Sequence, residues 1–275
     1  MAKKSIIPDV IEMASNRRSF VKKLGLASAA VGAAATIGVE KAQAQTATDV
    51  DVLNFALNLE FLEAEFYTVA TTGKTLKQSG LSVGSNPGTV SGGNQVSFSN
   101  SLVFTQAVAM EIAADERAHV ALLQGALGGS AISEPSINLN ALGFGFGSQD
   151  DFLKLSRIFE DIGVSAYAGA APLLSSAVIG TAARILAAEA EHVANVRLQI
   201  ARLNIATAPP LDSMDILPPP SNPNQYFSLN AQALCSIRTP GQVLYLAYGG
   251  KANASSGGFF PDGVNGYFTT SSAAA

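Results

Sequence analysis

A chain of 275 residues with 48% hydrophobic and 14% charged residues has the material for one substantial core. A formal charge of −4, with no basic run beyond the N-terminal region, argues against nucleic acid as a partner. The lone Cys235 excludes an internal disulfide, so the fold must stand on packing.

Residues 1–44 read as an export signal and are set aside from the fold. Arg17-Arg18, with Phe20 and Lys22, resembles a twin-arginine signal. The stretch at 24–39 is mostly Ala and Gly, too short and too weakly apolar for a membrane span. Ala42-Gln43-Ala44 has the small-x-small form of a cleavage site, which places the mature start at Gln45 and the protein in the periplasm or outside the cell. Seven of 17 basic and three of 21 acidic residues fall in this segment, so the mature chain is near −8.

Four segments then show helical period and length. The first spans about 49–71, with Asp49 as N-cap and Gly73 as stop. A polar loop at 74–99, with room for a short hairpin, leads to the second at about 100–127, capped by Asn100 or Ser101 and ended by Gly128-Gly129. A Gly/Phe-containing loop at 128–147 precedes the third, about 148–170, capped by Ser148 and closed before Pro172. The fourth covers about 176–203, and its short link makes it the antiparallel neighbour of the third. Such long loops between the other helices cross a bundle or cover a site. The bundle thus occupies 45–204. Prolines stop the helical pattern after that. Residues 205–275 read as an extension packed on the bundle, with a short helix near 239–248.

The helices repeat. Asp51, Leu53, Glu60 and Tyr67 align with Asp151, Leu153, Glu160 and Tyr167 at an offset of 100, and Glu116 and His119 align with Glu189 and His192 at an offset of 73. The two histidines of the chain each lie three residues after a Glu, on one helix face, where both side chains can grip one ion. A buried carboxylate without a cation is costly. Four carboxylates and two imidazoles with few basic neighbours therefore call for two divalent metals. Mixed oxygen and nitrogen donors suit iron or manganese, allow zinc and disfavour thiolate-preferring metals.

One Glu from each of two helices plus Glu-x-x-His from each of the other two resembles the ligand pattern of ferritin-like di-iron and di-manganese proteins. More narrowly, LNFALNLEFLEAEFY and GGFFPDGVNG resemble an exported bacterial ferritin-like domain family related to plant desiccation-associated proteins. The resemblance implies an all-α, ferritin-like four-helix bundle with long loops and a Pro/Gly-rich C-terminal extension. It implies Glu60 and Glu160 as terminal ligands, Glu116 and Glu189 as bridges, one metal on each of His119 and His192, and Tyr67 and Tyr167 as hydrogen-bonding supports.

Plainer readings stand beside these. Glu63 is one turn from Glu60, but the repeat and the Tyr spacing both select Glu60, and position 163 is Gly. Asp115, Arg117 and Glu191 read as solvated or supporting groups, Glu111 is undecided, Cys235 reads as a small buried residue, and Tyr67 and Tyr167 could be core aromatics. Asp51 and Asp151 read as first-turn acids. The expected function is two Fe or two Mn ions per chain reacting with dioxygen or peroxide, ferroxidase-like or peroxide-detoxifying in the periplasm. A manganese-catalase-like enzyme and a non-enzymatic, stress-protective metal-binding protein are the alternatives. A homo-oligomer is allowed, though no subunit contact is legible.

Overall fold

The computed structural model describes residues 47–99 and 103–275, so the expected export signal at 1–44 and the expected caps Asn100 and Ser101 lie outside the described residues. The fold is mostly helical. Helix α1 (Asp49–Thr72) is buried on every side over most of its length, as the central helix of a large core must be. Its N-cap is Thr48, not Asp49. Thr48 accepts from the Asp51 amide and Asp51 reaches back to the Thr48 amide, a capping box. Asp49 instead accepts from the Ser175 amide at 2.8 Å, which ties the start of α1 to the link between the last two bundle helices. Gly73 ends α1 in the left-handed conformation.

Helix α2 (Val103–Leu127) ends in a 3-10 turn at Gly128–Ser130. Helix α3 (Gln149–Ala170) begins at Ser148, whose side chain accepts from the Asp151 amide, and runs into a 3-10 turn carrying Pro172. Helix α4 (Ile179–Arg202) starts three residues later than its pattern suggests and folds back along α3. The main packing is α1 on α2 and α3 on α4, with lighter contacts from α1 to α3 and from α2 to α4. Two helical hairpins therefore face each other, matching the repeat. Among the described residues no helix is long and apolar enough to cross a membrane.

The long loops are stitched to each other. The expected hairpin within 74–99 does not form. Strand β1 (Val90–Ser91) instead pairs in parallel with β2 (Ile137–Asn138) of the second loop. The reason is that loop 128–147 supplies a facing backbone: the Gly88 amide donates to the Glu134 carbonyl and the Glu134 amide to the Val83 carbonyl. Beneath this seam, the carboxyl groups of Glu65 of α1 and Glu134 are buried near each other. Burial, reinforced by the charge of Glu65, pushes Glu134 up to about 9.

Residues 205–275 contribute to the same core. Helix α5 (Pro240–Ala247), capped by Thr239, buries Val243 and Leu244 against the bundle, and Phe259 packs edge-on against Phe159 of α3. Asn58 of α1 exchanges two hydrogen bonds with the backbone of Asn265. Where the extension crosses α3, the Arg238 amide donates to the Ser165 carbonyl, and the backbone passes so close that a Cβ at Gly169 would lie 2.0 Å from the Arg238 carbonyl oxygen. Only glycine fits there.

Three arginines anchor this segment from below. Arg157 and Arg197 are fully buried, and both reach Asp161. Arg157 also pairs with Asp215, and Arg197 donates to the Tyr226 carbonyl. Arg238 grips Asp212 with two nitrogens, at 2.6 and 2.9 Å, and donates to Ser165.

Candidate metal centre

The six side chains selected by the repeat converge in the middle of the bundle. Glu60 comes from α1, Glu116 and His119 from α2, Glu160 from α3, and Glu189 and His192 from α4. All are buried. Their donor atoms fall into two groups capable of holding an ion: Glu60, Glu116, His119 and Glu189 in one, and Glu116, Glu160, Glu189 and His192 in the other. Glu116 and Glu189 belong to both groups. Glu116 presents Oε2 to His119 at 3.5 Å and Oε1 to His192 at 3.2 Å, so its two oxygens face different ion positions.

Both imidazoles turn Nδ1 inward. His119 Nδ1 stands 3.3 Å from Glu60 and 3.4 Å from Glu189, and His192 Nδ1 stands 3.3 Å from Glu160. These separations are long for charge-assisted hydrogen bonds. Both Nδ1 atoms and the inward oxygens of all four glutamates lack a well-aligned partner. Buried polar atoms are nearly always partnered, so this concentration of orphans in one spot is the mark of a ligand set.

The tyrosines cross between hairpins. Tyr67 of α1 donates to Glu160 of α3 at 2.5 Å, and Tyr167 of α3 donates to Glu60 of α1. Each hydroxyl fixes the carboxylate of the opposite helix and leaves its other oxygen aimed inward. Burial and the adjacent carboxylate raise both phenols well above their ordinary range, so they remain donors.

The electrostatics are those of too many acids. Burial pushes Glu60 up to about 7 against the pull of His119, and pushes Glu189 well up with Glu116 adding to it. For Glu116 burial acts upward too, but the two imidazoles outweigh it and hold it at about 2. Burial alone would lower His192; Glu116 and Glu160 lift it to about 12. His119 is raised in the same way by Glu116, Glu189 and Glu60. Without cations the cluster must hold protons to offset its surplus charge.

Asp115 and Arg117 take the supporting role the sequence allowed them, and Glu63 stands closer to the site than the sequence suggested. Asp115 lies 3.2 Å from His192 Nε2, which keeps the proton on Nε2 and leaves Nδ1 as the donor atom. The counterpart position in the repeat is Ala188, so His119 gets no such support from α4. Arg117 donates to Thr68. Glu63 is buried against the centre, where charges of Glu189, Glu116, Glu160 and Glu60 all bear on it. The repeat hid it, because position 163 offers no acid. Glu111 is exposed and plays no part in the site. Cys235 is half-buried and free, more open than a small core residue.

A helical bundle built from two facing hairpins, with paired Glu and Glu-x-x-His donors at its middle, is the architecture of ferritin-like proteins. The sequence pattern of the ferritin-like domain family matches residues 48–202. This chain belongs to that family. No curated protein matches it.

Proposed function

We propose that this protein is a dinuclear iron or manganese carboxylate protein that reacts with dioxygen or peroxide, exported to the periplasm or beyond. The observation that carries the reading is the set of buried, inward-facing carboxylate oxygens and imidazole nitrogens without partners, divided into two groups that share Glu116 and Glu189. The donors fit hard to borderline divalent ions. Two such ions side by side can exchange two electrons with a two-oxygen substrate. Glu60 with His119, and Glu160 with His192, would each hold one ion, and Glu116 and Glu189 would bridge them. Tyr67 and Tyr167 keep the terminal carboxylates from rotating. Asp115 fixes the His192 tautomer. The surrounding apolar side chains exclude water, which strengthens every charge interaction inside.

The test is metal analysis of the purified protein after loading with iron or manganese. About two ions per chain are expected by this donor count. The double variant Glu116→Gln/Glu189→Gln should bind none, since both groups lose their shared carboxylates. Absence of metal from the native protein after loading would sink the reading. Peroxide consumption by the manganese form but not the iron form selects the catalase-like activity over iron oxidation.

A further inference from the structure

Glu63 follows Glu60 by one turn and lies on nearly the same side of α1. It is 5% exposed and no hydrogen bond joins it to a described residue, but its oxygens keep some solvent contact and fall in neither group of donor atoms that could hold an ion. A glutamate this deeply buried normally has a partner. Its surroundings differ on two sides. Toward the bundle axis stand the carboxylates of the candidate centre, whose charges add to burial in raising Glu63 well above its ordinary range. Toward α3 and α5 lies a small apolar pocket of about 40 Å3, walled by Leu59, Leu62, Phe159 and Phe259. Glu63 is the one charged side chain on that wall.

Gly163 makes the room. A Cβ at this position would lie 2.6 Å from Glu189 Oε2 and 3.4 Å from Glu63 Oε1. The two carboxylates thus share a notch that exists because α3 carries no side chain there. The Glu189 oxygen in the notch has no hydrogen-bond partner either.

We propose that Glu63, which stands outside both donor groups, turns through the notch at Gly163 to become a seventh donor beside bridging Glu189 when ions bind, on the side that faces the apolar pocket. This rests on the two-metal reading above. A fifth carboxylate offsets one more positive charge than four can, and it stands where a molecule in the pocket would meet the ions. Glu63 then links pocket to centre, and Gly163 is the position that permits it.

The probe is Mn(II) added to the full chain, with bound metal measured by equilibrium dialysis and the centre by electron paramagnetic resonance. The native protein should bind two ions. Glu63→Gln should weaken the binding by about 10- to 100-fold, the range for losing a group that supports a metal site, and should change the resonance line shape. Gly163→Ala, which crowds the same two carboxylates, should move both readouts in the same direction. Melting of the metal-free variants checks that they fold, and Glu63→Asp, which keeps the charge at shorter reach, substitutes if Glu63→Gln does not. Two ions bound at native affinity with a native spectrum in both Glu63 variants would overturn the proposal and leave the two-metal reading standing. No metal bound by the native chain would overturn both.

Discussion

Among the described residues, the two largest clusters of buried ionisable side chains are built on opposite rules. Between α3, α4 and the extension, Arg157, Arg197 and Arg238 meet Asp161, Asp212 and Asp215, three cations for three anions, in direct ion pairs. In the bundle middle, Glu60, Glu63, Glu116, Glu160 and Glu189 meet only His119 and His192. The first cluster is complete within the chain. The second cannot be neutral at the ordinary protonation states of its members. Burial of a charge is tolerated only with compensation, so a self-balanced cluster points to structure and an unbalanced one to a ligand that brings the missing charge.

The largest effect should come from unbalancing the first cluster. Arg197→Met leaves Asp161 with Arg157 alone and the Tyr226 carbonyl without its donor. Denaturant unfolding should show a loss of about 3–5 kcal/mol, the cost of breaking a buried pair on one side. Metal stoichiometry should not change, because no donor of the centre is touched. A loss below 1 kcal/mol would mean the network is not a structural clamp.

The second cluster should respond in the reverse manner, through metal rather than stability. Tyr67→Phe removes the hydroxyl that holds Glu160 and keeps the ring among Phe66 and Phe152. The ion on the Glu160 and His192 side should bind about tenfold more weakly, while unfolding of the metal-free protein changes little. Equal weakening of both ions would contradict the crossed assignment of the tyrosines.

The smallest effect concerns a third, minor arrangement, the Glu65–Glu134 pair under the loop seam. The unfolded chain gives up its carboxyl protons near pH 4.5, whereas Glu134 keeps its own up to about pH 9 in the fold. The folded state therefore binds more protons across this window, and stability falls as pH rises through it. Glu134→Gln removes that dependence. Its melting temperature should match the native one near pH 5 and exceed it by about 2–4 °C at pH 8, the worth of ~1 kcal/mol in a domain of this size. A difference that is the same at both pH values would refute the assignment.

Much of the bundle was legible because its information is local and doubled. Helical period marks α1 to α4, and the repeat selects Glu60, Glu116, His119, Glu160, Glu189 and His192 without reference to any fold. What escaped depends on contacts distant in sequence. Arg157 and Asp161 form a readable i,i+4 pair, but Asp215 and Asp212 reach the arginines only when the extension folds over α3. The parallel pairing of β1 with β2 joins two loops, whereas the sequence allowed only a hairpin within the first. Thr48 displaced Asp49 as the cap because Asp51 sits at the third position to complete the box, a rule visible in the sequence. Glu63 was passed over for an instructive reason. The glycine opposite it was read as a missing partner, when the missing side chain is what admits two carboxylates to one notch.

The division of donors between the hairpins has a consequence for how the molecule holds together. α1 and α2 supply three donors to one candidate ion position and α3 and α4 supply three to the other; each lends a single carboxylate across, and the tyrosine hydroxyls cross as well. Neither half can finish a site. The arrangement has the pseudo-twofold symmetry of a dimer of hairpins whose partners happen to share one backbone. The covalent link converts their meeting into an intramolecular event, at an effective concentration that separate hairpins would have to match in solution. The two halves are thereby free to diverge, and the pairing of Asp115 with Ala188 and of Glu63 with Gly163 marks where they have done so.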